Sequence, residues 1–399
     1  MRAEDERFRT LMRLPPLLRG GFRPFFLGGA LWAVIVVALW VLAFAGRIAL
    51  PTRFDALAWH RHEMLFGYLV AVIAGFLMTA IPNWTGRLPI AGGRLAALAG
   101  LWLAARAAVL FSAITGAALA FLLDVGFLAT LGFVVAREVI AAKNRNVPIA
   151  VAIGILALAD ALDHAEALGL AVPAGLGWRL GFAIVLFLVS LIGGRIIPSF
   201  TRNWLAKQGR ERGLPTQPGR FDVATLAVTG IALLVWAALP ESKVAGALLV
   251  SAGLLQTVRL ARWSGLRSWR EPIVLILHVS YAWLPLGLLL LGGSLFVWCI
   301  PASSAIHALG AGAMASMTLA VMTRATLGHT GRQLRADRAT QAIYLLLTSG
   351  AALRFAAPML PVDYVGAIAL AGALWGGAFL LFLLVYAPKL LGPRPDGRA

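Results

Sequence analysis

Apolar runs of roughly 18 or more residues recur along the whole of this chain, and each is long enough to cross a bilayer as a helix. In hydrocarbon a segment must satisfy its own backbone hydrogen bonds, so runs of this length and spacing are helices. Twelve spans are expected, at 25–45, 62–81, 95–112, 117–136, 148–168, 178–198, 221–239, 243–261, 272–293, 302–325, 339–357 and 364–386. The fold class is therefore an all-α polytopic membrane protein. A twelve-helix domain over 25–387 lies between a basic tail, 1–24, and a short tail, 388–399. With 60% hydrophobic and only 13% charged residues, the chain is far from the make-up of a soluble domain. The first run starts near Phe25 and has the length of a spanning helix rather than of a cleavable leader. A lone Cys299 excludes a disulfide framework or a cysteine-based metal cluster within one chain.

A net charge of +18 invites a nucleic-acid reading, and its distribution argues against one. The basic residues gather in the N-terminal tail, in the loops after the even-numbered spans and in the C-terminal tail. The opposite side holds only Arg47, Arg53, Arg61, Arg179 and Lys243, while Arg106, Arg195, Arg324 and Arg354 fall inside spans. This asymmetry follows the positive-inside rule and predicts both termini in the cytoplasm. The expected partner of the excess charge is anionic lipid of the bilayer, with no nucleic acid.

The chain carries signs of internal repetition. Ile81-Pro82 ends the second span as Ile197-Pro198 ends the sixth. Thr85-Gly86-Arg87 follows the second span as Thr330-Gly331-Arg332 follows the tenth. The register linking the second and tenth spans also carries His62 onto His307 and Thr79 onto Arg324. Three units of four helices would share one orientation, giving a parallel repeat.

Ionisable groups in hydrocarbon are costly, so each asks for a reason. On the predicted topology His60 and His62 sit at the outer mouth of the second span. Asp160, Asp163, His164 and Glu166 sit near the outer end of the fifth, and His307 lies a turn below the outer surface in the tenth. Neutral imidazole is a ligand for copper, iron and zinc. His60 and His62 are ~200° apart on a helix, so they serve different sites unless His60 is still in the loop. His60, Glu63 and Met64 share one α-helical face, and a histidine with a thioether suits copper or the axial positions of a haem. Asp160, one turn before His164, could orient that ring as an acceptor. His307 heads a run of small residues, HALGAGAMASM, against which a flat macrocycle could lie. Close helix packing explains the same run equally well.

The inner half has its own candidates: His278 and His329 as ligands, and Arg195 and Arg324 as partners for anionic groups such as haem propionates. Arginines near helix ends can also snorkel to the interface.

Three stretches resemble the NnrS family: Phe22-Arg23-Pro24-Phe25-Phe26-Leu27, the run Trp59 to Tyr68, and Thr79-Ala80-Ile81-Pro82-Asn83-Trp84-Thr85-Gly86. Gly194 to Thr201 and His307-Ala308-Leu309-Gly310 fit it too. The resemblance implies a haem- and copper-containing inner-membrane protein linked to nitric oxide metabolism and denitrification. On that reading a haem binds nitric oxide or another small ligand, or passes electrons to a partner. His60, His62 and His307 are candidate haem ligands, and His164 and Met64 candidate copper ligands. A three-by-four helix plan also resembles the catalytic subunit of haem-copper oxidases, but the adjacent His-His pair of those enzymes does not occur here. The alternatives are a transporter with an intramembrane His/Arg site and a haem-copper-type redox enzyme acting on nitric oxide.

Overall fold

The computed structural model describes residues 13–297 and 299–396. Arg2, Arg7, Arg9 and Arg398, which enter the charge balance above, lie outside the described residues. Among the described residues there is no strand, and twelve helices are long and apolar enough to cross a membrane. They are α1 (Phe22–Phe44), α2 (Ala56–Thr85), α3 (Gly93–Leu110), α4 (Ala117–Ala141), α5 (Val147–Ala167), α6 (Leu176–Lys207), α7 (Arg220–Ala238), α8 (Lys243–Ala261), α9 (Pro272–Ser294), α10 (Ala302–His329), α11 (Arg338–Met359) and α12 (Tyr364–Leu391).

The helix ends differ from the hydropathy reading where polar chemistry extends or stops a turn. α2 begins before the expected 62 because Asp55 caps it, its Oδ1 accepting from Leu57 N and Ala58 N, both at 2.9 Å. It runs through Pro82 and stops at Gly86, whose left-handed φ of 66° lets its N–H reach Pro82 O at 2.9 Å. α6 likewise continues through Pro198 to Lys207 instead of ending at 198. Thr201 Oγ1 donates to Ile197 O at 2.9 Å within that stretch.

Two helices depart from α geometry midway. Glu63–Leu69 of α2 and Ala308–Met314 of α10 have π-helical hydrogen bonding, with an extra residue in the turn. Such turns are rare and concentrate at functional sites. Each follows a histidine directly, and the register that carries His62 onto His307 carries one π segment onto the other.

The chain divides into two units. The first comprises Met1–Gly181, Ala325–Gln333 and Phe379–Ala399, and the second Phe182–Arg324 and Leu334–Ala378. In the first, α1 packs on α2, and α4 packs on both α3 and α5. Its C-terminal segment is tied to α1 by Arg23, which is 3% exposed and donates to Leu390 O at 2.6 Å and Gly392 O at 2.8 Å. In the second, α8 packs on α9 closely enough that a Cβ at Gly292 would meet the backbone of Gly246 and Val250. A buried network there is closed on itself. Arg259 donates to Asp222 Oδ1 (2.8 Å), Ser190 O (3.0 Å) and the Tyr281 hydroxyl (3.1 Å). Tyr281 donates to Gln256 Oε1 (2.7 Å), and Gln256 Nε2 to Thr229 Oγ1 (2.9 Å). Mutual satisfaction of this kind holds helices together and asks for no ligand.

Candidate metal centre

The first unit contains a polar cluster of a different kind. α2 contributes His62 and Glu63, α3 contributes Arg106, α4 contributes Asp124, and α5 contributes Asp160, Asp163 and His164. His62, Glu63, Arg106, Asp124 and Asp160 are each 0% exposed. With Asp163, 8% exposed, four buried carboxyl groups share the cluster with one guanidinium, and burial of so much negative charge calls for cations or protons.

The sequence positions these groups by local geometry. His62 is the last α-helical residue before the π segment, so the usual i, i+3, i+4 spacing does not continue past it. Glu63 turns toward α1 and α3, where its Oε2 accepts from Trp32 Nε1 and Arg106 Nη1, both at 2.6 Å. Arg106 Nη2 also donates to Asp124 Oδ1. Gly67, one π turn on, faces the same pair. A Cβ there would collide with Glu63 Oε2 and Arg106 Nη1, and the Gly67 carbonyl accepts from Trp102 Nε1 at 3.0 Å. On α5, Asp160 and His164 stand one turn apart. The start of α6 comes so close to α5 that a Cβ at Gly177 would strike the Asp163 backbone.

Four donor atoms converge: His62 Nε2, Asp124 Oδ2, Asp160 Oδ1 and His164 Nε2, all mutually within 4.8 Å. His62 Nε2 is 2.8 Å from Asp124 Oδ2 and 3.8 Å from Asp160 Oδ1, and His164 Nε2 is 3.3 Å and 3.8 Å from the same two oxygens. A four-coordinate ion with bonds near 2.0–2.1 Å spaces neighbouring ligands about 2.8 Å apart in a square plane and about 3.4 Å apart in a tetrahedron. The four distances run from the first value to slightly beyond the second. Asp160 is fully buried, yet neither of its oxygens has a hydrogen-bond partner. A buried carboxylate left without donors is an expensive arrangement that a cation relieves.

The surroundings suit a coordinated histidine. His62 Nδ1–H donates to Asp163 Oδ2 at 2.8 Å, the carboxylate–histidine pairing that fixes tautomer and ring plane at metal sites. Phe54, Phe66 and Phe121 wall the two imidazoles, with ring centroids 4.7 Å (Phe54–His62), 5.2 Å (Phe66–His62) and 5.8 Å (Phe121–His164) apart. A small cavity lined by Arg53, Phe54, Ser112, Ala120 and His164 opens beside this wall.

The other expected residues are distributed as follows. His60 points away from the cluster and stacks on Trp40, 4.2 Å between centroids, as the angular separation of His60 and His62 predicts. Met64 lies half-buried in the π segment. His307 belongs to the second unit, and its Nδ1–H donates to Ser303 O at 2.7 Å. His278 Nε2 is 2.8 Å from Thr201 Oγ1. His329 lies against Phe22, 5.5 Å between centroids. Arg195 is exposed on α6, and Arg324 lies over the Phe200 ring at 3.9 Å. The structure therefore brings together His62, Asp160 and His164 of the expected set. Glu63 stands beside them as the partner of Arg106 rather than on a shared face with His60 and Met64, because the π turn breaks that face.

Asp124 escaped the sequence reading, and Asp163 and Arg106 were located by it without a role in the site. Asp163 is 8% exposed and bonded to His62, whereas its neighbour Glu166 accepts from Gly175 N at 2.7 Å. Asp124 had a signal, since it is the lone charge in the apolar stretch AFLLDVGF of the fourth span.

Residues 16–394 match a family model described as NnrS protein. No curated protein matches the chain.

Proposed function

The chain belongs to the NnrS family, which is linked to the nitric oxide response, and from that premise we propose that it is a transition-metal protein of the bacterial inner membrane acting in that response. One observation carries the reading: two imidazoles and two carboxylates from α2, α4 and α5 meet around a point, and one of the carboxylates has no other partner.

The donor chemistry narrows the ion. Two nitrogens and two carboxylate oxygens form a borderline-to-hard set that suits divalent first-row metals, among which copper(II) binds most tightly at a given N/O site. Copper is the metal assigned here, with His62, Asp124, Asp160 and His164 as its ligands. In this site the chain's own groups do three things. Asp163 orients His62, Arg106 and Glu63 hold Asp124 in place, and the phenylalanines exclude water, which strengthens every interaction inside. His164 also lines the small cavity with Arg53, Phe54 and Ser112, so one edge of the cluster borders a space of about one water molecule.

A haem does not fit the same place. The four donors are too compact to straddle a macrocycle, and both nitrogens of His62 face carboxylates. The haem expected from the resemblance falls to His307, whose Nδ1–H is held by a backbone carbonyl and whose Nε2 thereby carries the lone pair a metal takes. Bound there, a haem would supply an iron able to bind a diatomic ligand or carry an electron. The charge asymmetry supports a cytoplasmic position for both termini, with the cluster toward the periplasmic side.

The test is metal analysis and electron paramagnetic resonance of the detergent-purified chain loaded with copper(II). Nitrogen hyperfine coupling from two imidazoles is expected, and its loss in His164→Ala with retention in His60→Ala. Retention of the full signal in both His62→Ala and His164→Ala would overturn the assignment.

A further inference from the structure

The strap that joins α1 to α2 covers the cluster of the first unit. Residues 51–54 have no helical hydrogen bonding and are fastened to the turn between α3 and α4. Ser112 of that turn is fully buried, and its Oγ accepts from Arg53 N at 2.9 Å and lies 3.1 Å from Thr52 Oγ1. Ala113 N donates to Pro51 O at 3.2 Å. These contacts seat Phe54 over both imidazoles, its ring centroid 4.7 Å from that of His62 and 5.4 Å from that of His164. Phe54 itself is buried, while Arg53 beside it is exposed.

The other side chains around the cluster stand on spanning helices: Phe66 on α2, Arg106 on α3, Phe121 on α4 and Asp163 on α5. α6 closes against α5 at Gly177, where a Cβ would strike backbone. All four donor residues are buried, so an ion reaches them only by parting one of these walls. The space beside His164 holds about one water molecule, less than a hydrated ion needs. Parting the helices breaks close packing or a buried ion pair. Lifting the strap gives up hydrogen bonds to one turn and the cover of one ring, and segments held in this way open locally at low cost.

We propose that residues 51–54 are the gate of the metal centre. The ion enters and leaves beneath Phe54, and Ser112 is the clasp that holds the gate shut. The proposal rests on the reading of the cluster as a copper centre, and adds to it the route and the residues that set the rate of exchange. A gate of this kind has a kinetic signature. The fraction of time it stands open multiplies the rates of binding and release alike, so loosening it speeds both and leaves the affinity where it was. A wall that merely supports the ligands behaves otherwise, since its loss speeds release alone and weakens binding.

The full chain purified in detergent tests this with copper(II) as the probe. Binding, and release into excess chelator, are timed by electron paramagnetic resonance of freeze-quenched samples. Ser112→Ala removes the clasp and leaves every ligand in place. It should speed binding and release alike, each roughly five- to tenfold, with an unchanged dissociation constant. Thr52→Val, at a half-buried position of the strap, should act in the same direction more weakly. Phe121→Ala, in a helical wall, should leave the binding rate as it is. Rates unmoved in Ser112→Ala and Thr52→Val overturn the gate, as does faster release alone with weaker affinity, or binding that Phe121→Ala speeds as much as Ser112→Ala. Should Ser112→Ala fail to fold, Thr52→Val and the native chain decide. In hydrogen exchange the native Arg53 amide should exchange well ahead of the amides within α3 and α4, and equal protection overturns the gate. A native chain that takes up no copper removes the copper assignment and the gate with it. A native chain with the two-imidazole signal, but with rates the variants do not move, removes the gate alone.

Discussion

His62 and His307 each end an α-helical stretch and open a π turn, and each has an arginine from the helix that follows in its unit, Arg106 in one case and Arg354 in the other. Their surroundings are opposite in charge. Around His62 four carboxyl groups outnumber one guanidinium, whereas the Arg354 guanidinium has two unpartnered nitrogens and, among the described residues, no paired carboxylate. The difference teaches that the π turn is a positioning device without chemistry of its own. It carries a histidine and a close-packed face, and the neighbouring helices decide which charges surround that histidine.

The largest test of this contrast removes the cation site. His62→Ala and Asp160→Asn should each lose bound copper(II) almost completely, measured as metal per chain, while His307→Ala leaves it unchanged. The next compares the two arginines. Arg106→Gln strands Glu63 and Asp124 and should destabilise the first unit by about 3–5 kcal/mol, as breaking a buried ion pair does. Arg354→Gln removes a cation with no carboxylate partner and should be close to neutral in the same detergent unfolding assay. Equal losses in both would break the comparison. A smaller effect is expected at Asp163→Asn, which keeps all four ligands but loosens the orientation of His62. Copper affinity should fall roughly 10–100-fold, with full stoichiometry restored at saturating metal. The smallest is Gly310→Ala, which should change stability by no more than about 0.5 kcal/mol, since the added methyl meets only ordinary contact.

Much of this was readable from residue order, and the boundary is instructive. The spans were legible because hydrocarbon length and backbone satisfaction impose a signal on every helix. The opposed directions of His60 and His62 follow from helical angle, and the pairing of Asp160 with His164 from a four-residue spacing. The π turns were not legible. An added residue in one turn changes the hydrogen-bond register without altering apolar content, and so the face drawn through His60, Glu63 and Met64 does not form. The bond from His62 to Asp163 was not legible either, because the burial of Asp163 depends on the approach of α6 at Gly177, a contact made by a different helix.

The sequence by itself determined a twelve-helix membrane protein with a sided charge balance, and it marked His62 and His164 as groups too costly to bury without purpose. Only the tertiary structure decided that Asp124 of α4 and Arg106 of α3 complete the neighbourhood of His62, while Arg354 of α11 pairs with no carboxylate among the described residues. The reason is physical. Hydrophobic length is a property of each segment separately, whereas the balance of buried charge belongs to the point where several segments meet.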